Sequence, residues 1–278
     1  MSNSECNHDC SSCSSSSNCS NKVQKPDNSK FLKHTIVVMS GKGGVGKSTI
    51  SVNLAVSLAL KGKKVGLLDV DIHGPSIPTM LHLQSEHVMS NGEKLLPVEK
   101  AGLKIISVGL LLENPDDAIV WRGPMKIGAI TQFINDVEWG ELDYLVVDAP
   151  PGTGDEPLSV FQTITGKSSA VIVTTPQEVS AADVRKSLNF CKLMNVEVDG
   201  IIENMSGFVC PCCKTLTSIF NTGGGEKMAK EFNVPFLGKI PIEPAIGQSC
   251  DKGEVFAYSY SETETGRIFS EIADKIIG

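Results

Sequence analysis

Residues 37–49, "VVMSGKGGVGKST", decide the architecture. Gly41 is followed after four residues by Gly46, Lys47 and Ser48. The aliphatic run "TIVVM" (35–39) leads in, and the apolar-periodic "KSTISVNLAVSLALKG" (47–62) leads out. Glycines let the backbone wrap its N–H groups around phosphate oxygens, and a helix start adds a favourable dipole. In such a cradle, formed by Gly41, Lys42, Gly43, Gly44, Val45, Gly46, Lys47, Ser48 and Thr49, the Lys47 ammonium reaches the outer phosphates of ATP and the Ser48 hydroxyl ligates Mg2+. A merely flexible turn is the competing reading; the strand before it and the helix after it weigh against that.

Outward from the loop, the same alternation repeats. "KVGLLDV", "LKIISVGLLL", "DYLVVDA", "SAVIVTT", "DGIIEN" and "PFLGKIP" are aliphatic enough to be strands buried on both faces, and stretches such as "SAADVRKSLNFCKLMN" carry helical spacing between them. The expectation is an α/β fold with a doubly wound, mostly parallel sheet over residues 34–278. Leu83 to Gly102 breaks the rhythm, and its Asn91-Gly92 pair predicts a hairpin. At the C-terminal end, Ser261 and Glu264 form a candidate capping box, with Ile268, Ile272 and Ile276 as the core-facing stripe. Residues 1–33 form a flexible cysteine-rich tail, since Val23 is the one aliphatic residue after Met1 in the first thirty and too little apolar area is available to offset chain entropy.

Composition narrows the function. A net charge of -7 disfavours a broad phosphate-binding surface, so no nucleic-acid partner is expected. No run approaches the roughly 18 apolar residues of a membrane span, and no basic start with an apolar stretch marks a secretory signal. A reducing cytoplasm is therefore expected, where an odd count of nine cysteines points to metal-binding or catalytic thiols rather than to a disulfide framework.

Two further strand ends carry carboxylates: Asp69 and Asp71 in "LLDVDIHGPS", and Asp148, followed by Gly152, in "LVVDAPPGTGD". Both fall at the C-terminal edge of a parallel sheet, where open α/β folds bind ligands. Asp148, after four apolar residues, has the position of a magnesium-holding Walker B carboxylate. For Asp69, a loop-capping role and metal contact remain open, whereas Asp155 and His73 are expected to be structural.

Lys42, directly after the first glycine, resembles the signature lysine of the deviant Walker A ATPases, the MinD and nitrogenase iron protein type. In those proteins it crosses a two-fold axis to the partner's nucleotide, so the resemblance implies a homodimer. Together "GKGGVGKST", "LLDVDIHGPSIP", "WRGPM", "VVDAPPGTGDEPLSV", "TTPQEVSAADVRKS", "IIENMSGFVCPCC" and "GKIPIEPAI" resemble the Mrp (ApbC) family of P-loop ATPases across about residues 35–275. The resemblance implies slow ATP hydrolysis and transfer of iron–sulfur clusters to apoproteins. It casts Lys42, Lys47 and Asp71 as the catalytic set, with Asp71 placing the attacking water and Asn204 contacting the adenine. "WRGPM" receives no chemical role.

Cys210 and Cys213 form a C-x-x-C pair, half of the four thiolates that a cluster or a closed zinc site wants. If the chain dimerises, a two-fold axis supplies the other half. A bridging [4Fe-4S] cluster is what the family resemblance implies; spacing does not separate it from zinc, nor does it exclude Cys212 as a ligand. In the tail, Cys6, Cys10, Cys13 and Cys19 are candidate ligands of a second cluster, with His8 as a substitute for Cys6. Cys191 and Cys250 are expected to be inert. The alternative function is a ParA- or MinD-like positioning ATPase with a structural zinc; the acidic last helix argues against it.

Overall fold

The computed structural model describes residues 27–112, 114, 117, 120–210, 212, 213, 215–220 and 223–278. The candidate tail ligands Cys6, His8, Cys10, Cys13 and Cys19 lie outside the described residues. In chain order the strands are β1 (Leu32–Ser40), β2 (Val65–Asp69), β3 (Met89–Ser90), β4 (Leu95–Leu96), β5 (Val98–Lys100), β6 (Leu103–Ser107), β7 (Leu142–Asp148), β8 (Lys167–Thr174), β9 (Glu197–Glu203), β10 (Phe208–Val209), β11 (Leu216–Thr217) and β12 (Phe236–Lys239). The helices are α1 (Lys47–Leu60), α2 (Ile77–Met80), α3 (Gly123–Asn135), α4 (Asp155–Thr163), α5 (Glu178–Met194), α6 (Gly224–Phe232), α7 (Pro244–Asp251), α8 (Phe256–Ser259) and α9 (Glu264–Ile277).

Eight strands form the main sheet in the order β12-β9-β8-β1-β7-β2-β6-β5. All pairs are parallel except β5 with β6. The sheet is buried on both faces because side chains alternate along each strand. In β1, Ile36 and Val38 join one core with Leu54 and Leu58 of α1 and Phe269 of α9, whereas Val37 and Met39 join the other with Phe133 of α3 and Cys191 of α5. Cys191 is thus a core residue, as expected.

Three boundaries differ from the sequence expectation. The folded part starts before residue 34: Asn28 is buried, donating its amide to Thr163 O (2.9 Å) and accepting from the Thr165 N–H (2.9 Å), a polar anchor that hydrophobic patterning does not reveal. The run 103–112 is a strand only to Ser107, where its hydroxyl accepts from Gly109 N–H and the chain turns into a 3-10 turn at Val108–Leu111. The last helix is capped by Thr263, whose hydroxyl accepts from Gly266 N–H at 3.1 Å, not by the expected Ser261–Glu264 box. Its deepest residues are Phe269, Ile272 and Ala273, with Ile268 and Ile276 at the margin. The hairpin expected around Asn91 is present as β3–β4. Among the described residues no helix is long and apolar enough to cross a membrane.

Candidate nucleotide cleft and cysteine hairpin

At the C-terminal ends of β1, β2 and β7 lies a cleft of about 310 Å³, lined by Lys42, Lys47, Ser48, Thr49, Asp71 and Pro151 among others. Its floor is the N-terminus of α1. Gly46 precedes that helix in the left-handed region (φ 80°) and offers no capping side chain, which leaves the first N–H groups for a ligand. A side chain at Gly46 would also collide with Asn204 Nδ2, and one at Gly41 with the Asp183 backbone.

Lys47 Nζ pairs with Asp148 Oδ1 at 2.7 Å, and Ser51, one helical turn on, donates to the same oxygen at 2.7 Å. The other oxygen, Oδ2, is buried without a partner among the described residues. An orphaned buried carboxylate oxygen fits a magnesium-bound water, and the Ser48 hydroxyl lies 3.3 Å from the same Lys47 Nζ that pairs with Asp148. Asp69 resolves towards the capping role: Oδ1 accepts from Asp71 N–H (3.0 Å) and Oδ2 from Ser107 (2.9 Å). Burial, then the adjacent Asp148, holds the Asp69 carboxyl well above the usual range. Asp71 reaches the cleft half-buried, and burial raises it too. Gly152 (φ 97°) donates its N–H to Ser40 O at 2.7 Å, folding the Asp148 loop against β1. Lys42 is turned onto its own chain, donating to Gln177 Oε1 at 3.0 Å. Asn204, at the end of β9, donates its amide to Val45 O at 2.8 Å from beneath the loop.

Other partners carried no sequence signal. Lys126 in the first turn of α3 donates to His73 Nε2 (2.7 Å), beyond Asp71, and to Glu156 Oε1 (2.8 Å), beyond Asp148. His73 must accept there, because an ammonium can only donate. "WRGPM" thereby acquires a structural role: Arg122 occupies the N-cap position and Gly123 and Pro124 open α3, bringing Lys126 between the two loops.

The cysteines sit at the tip of a second hairpin, β10 with β11, closed by the Cys210 N–H bond to Thr215 O at 3.0 Å. Cys212 and Cys213 are exposed and Cys210 partly so. The Cys213 thiol lies 3.3 Å from Thr215 Oγ1. Hydrogen bonds from the Thr215 side chain and backbone, then from Cys210, draw Cys213 down to about 7. The structure thus brings Cys210 and Cys213 together, and no cluster of three or more metal-ligating side chains occurs among the described residues. Cys250 is half-buried and burial raises its thiol.

Strand, glycine loop, helix start and two strand-end carboxylates on a parallel sheet define a P-loop nucleoside triphosphatase. Residues 31–277 match the family model "ParA: NUBPL iron-transfer P-loop NTPase". A chain of Methanocaldococcus jannaschii called "Iron-sulfur cluster carrier protein" is 48% identical over 285 residues, covering 99% of this chain and 98% of its own. The "Cytosolic Fe-S cluster assembly factor NUBP2" of Rattus norvegicus is 48% identical over 258 residues, 91% of this chain and 95% of that one. A solved nucleotide-binding protein of Archaeoglobus fulgidus in complex with ADP superposes with a TM-score of 0.74 at 41% identity, covering 85% and 94%. Aquifex aeolicus MinD shares the fold (TM-score 0.62, 22% identity, 88% and 97% covered). The chain belongs to the NUBPL-type iron-transfer P-loop NTPases.

Proposed function

We propose that the chain is an ATP-hydrolysing iron–sulfur cluster carrier, working as a homodimer that holds a [4Fe-4S] cargo between two Cys210–Cys213 pairs and passes it to apoproteins. The observation that carries this is one chain holding a nucleotide cleft and an exposed thiol pair, joined by the short exit of β9. Lys47 would leave Asp148 for the outer phosphates, Ser48 and Asp148 would hold Mg2+ directly or through water, and Asp71 would orient the attacking water. Bound Mg2+ supplies charge neutralisation for phosphoryl transfer. Lys42, released from Gln177, would reach the partner subunit's nucleotide. Asn204 would meet the base. Two thiols per chain leave the cargo's shell half-filled, which the second subunit completes; zinc is a substitute in the same thiols. The tail cysteines Cys6, Cys10, Cys13 and Cys19 would hold a second cluster. The names of the M. jannaschii and rat relatives support the cargo and a cytoplasmic setting.

The positioning-ATPase alternative fares worse, because α9 spends its apolar face on α1, α8 and β12 and has none free for a membrane. The test is Lys47→Ala, assayed where the variant is folded. Cluster loading should persist and ATP-dependent transfer to an apoprotein should vanish; unchanged transfer would refute the coupling.

A further inference from the structure

We infer that Glu203 is a positioning residue that grips the cysteine hairpin by both feet and ties its geometry to occupancy of the P-loop. The inference rests on the cleft being a nucleotide site and the hairpin a metal-binding one. Glu203 is fully buried at the end of β9. On the entry side of the hairpin, Ser206 donates its hydroxyl to Glu203 Oε1 at 2.6 Å. On the exit side, Gly225 N–H donates to Oε2 at 2.7 Å, with a longer bond of 3.4 Å from Gly223 N–H to Oε1. Both strands of the thiol hairpin lie between these feet. The carboxylate also occupies the N-terminus of α6, where an anion is favoured.

The local sequence is shaped around this grip. A Cβ at Gly225 would come within 3.1 Å of Glu203 Cβ and 3.2 Å of Thr174 Cγ2, so the helix approaches closely only because the position is glycine. Gly223, in the left-handed region at φ 80°, turns the returning chain into the helix. The entry foot is fixed a second time, by Ser206 N–H to Ile240 O (2.8 Å) and Ile242 N–H to Gly207 O (2.7 Å).

The neighbouring residue reaches the other site. Asn204 holds the Val45 carbonyl, and Val45 lies inside the phosphate loop. Met205, with φ 56°, reverses the chain so that Asn204 meets the loop while Ser206 folds back on Glu203. A displacement of the Val45 carbonyl when phosphates engage the loop is thereby delivered to residues 203–206, one hydrogen bond from each foot. The Asn204–Val45 bond is buried and the Ser206–Glu203 bond partly so, and together they run unbroken from the phosphate loop to the base of the hairpin.

The probe is Co2+, titrated anaerobically into the full-length chain with Cys6, Cys10, Cys13 and Cys19 changed to serine, reading thiolate-to-metal absorption with and without Mg-ATP. The starting protein should bind Co2+ with an affinity that changes with ATP. Glu203→Gln, which keeps shape but loses acceptor capacity, should bind ATP within about twofold of the parent, bind Co2+ about tenfold more weakly, and lose the ATP response. Ser206→Ala, which leaves the α6 terminus intact, should shift both in the same direction and covers the case in which Glu203→Gln does not fold. Unchanged Co2+ affinity and ATP response in the variants overturn the inference. Equal weakening with and without ATP overturns the link to the P-loop and leaves a plain anchor, and an ATP-indifferent parent does the same. The underlying reading fails separately, if Cys210→Ala and Cys213→Ala leave Co2+ absorption untouched or the parent binds no ATP.

Discussion

Lys47 Nζ and Asp148 Oδ1 form an ion pair of 2.7 Å, with the lysine side chain 7% exposed and the aspartate fully buried. The Lys47 ammonium, which lines the cleft, is thus held by the buried carboxylate at the end of β7. Removing one partner of a buried pair strands the other, at a cost of about 3–5 kcal/mol. Lys47→Ala should therefore destabilise the nucleotide-free protein in urea melts, and adding Asp148→Asn should recover much of the loss. Additive losses would show that the pair contributes no coupling.

Asp69 gives a pH dependence of definite sign. Its folded carboxyl titrates above the usual range through burial and Asp148, so the folded state keeps a proton that the unfolded chain has released. Stability contributed this way is full below about pH 4 and is lost as pH rises into the neutral range, at up to about 1.4 kcal/mol per unit. Buried His34, drawn down to about 4, works in the opposite sense over part of that window. The difference between Asp69→Asn and the parent isolates the aspartate: the variant's relative stability should grow with pH, and a flat difference would contradict the assignment.

Lys126 and Glu156 are both largely buried, with side chains 15% and 11% exposed. Lys126→Met should leave Glu156 unpaired and lower the melting temperature by roughly 10 °C, on a cost of about 3–5 kcal/mol. Lys126→Met combined with Glu156→Gln should regain most of it. Calorimetry of the three proteins decides the matter, and a single variant that melts with the parent would remove Lys126 from the bridge between the two loops.

The thiols should separate by burial. In metal-free protein, alkylation followed by peptide mass spectrometry should find Cys212 and Cys213 modified first and Cys191, fully buried with its thiol raised to about 12, only on unfolding. Metal loading should protect Cys210 and Cys213 and leave Cys212 reactive. Protection of Cys212 in place of Cys210 would reassign the ligand pair.

The phosphate loop, the strand-end aspartates and the thiol pair were legible because each is local: glycine spacing, an apolar run ending in a carboxylate, and two cysteines three positions apart. Groups that act across the fold were not. Lys126, Glu156 and His73 lie on three separate segments, and their meeting depends on α3 packing beside α4. Glu203 looked like a strand residue next to Asn204; the one available signal was the run Gly223–Gly225 at a helix start, where backbone N–H groups ask for an anion. The anchoring of Asn28 is polar, whereas periodicity counts apolar residues alone, so the sequence pattern places the residue in the tail.

The central claim is a cargo shared by two half-sites. Anaerobic reconstitution of the full-length chain with the four tail cysteines changed to serine, followed by native mass spectrometry with iron and sulfide quantitation, tests it most directly. One [4Fe-4S] cluster per two chains, lost in Cys210→Ala and in Cys213→Ala, is the expected result. A cluster carried by single chains, or a dimer whose cluster survives both substitutions, would contradict it.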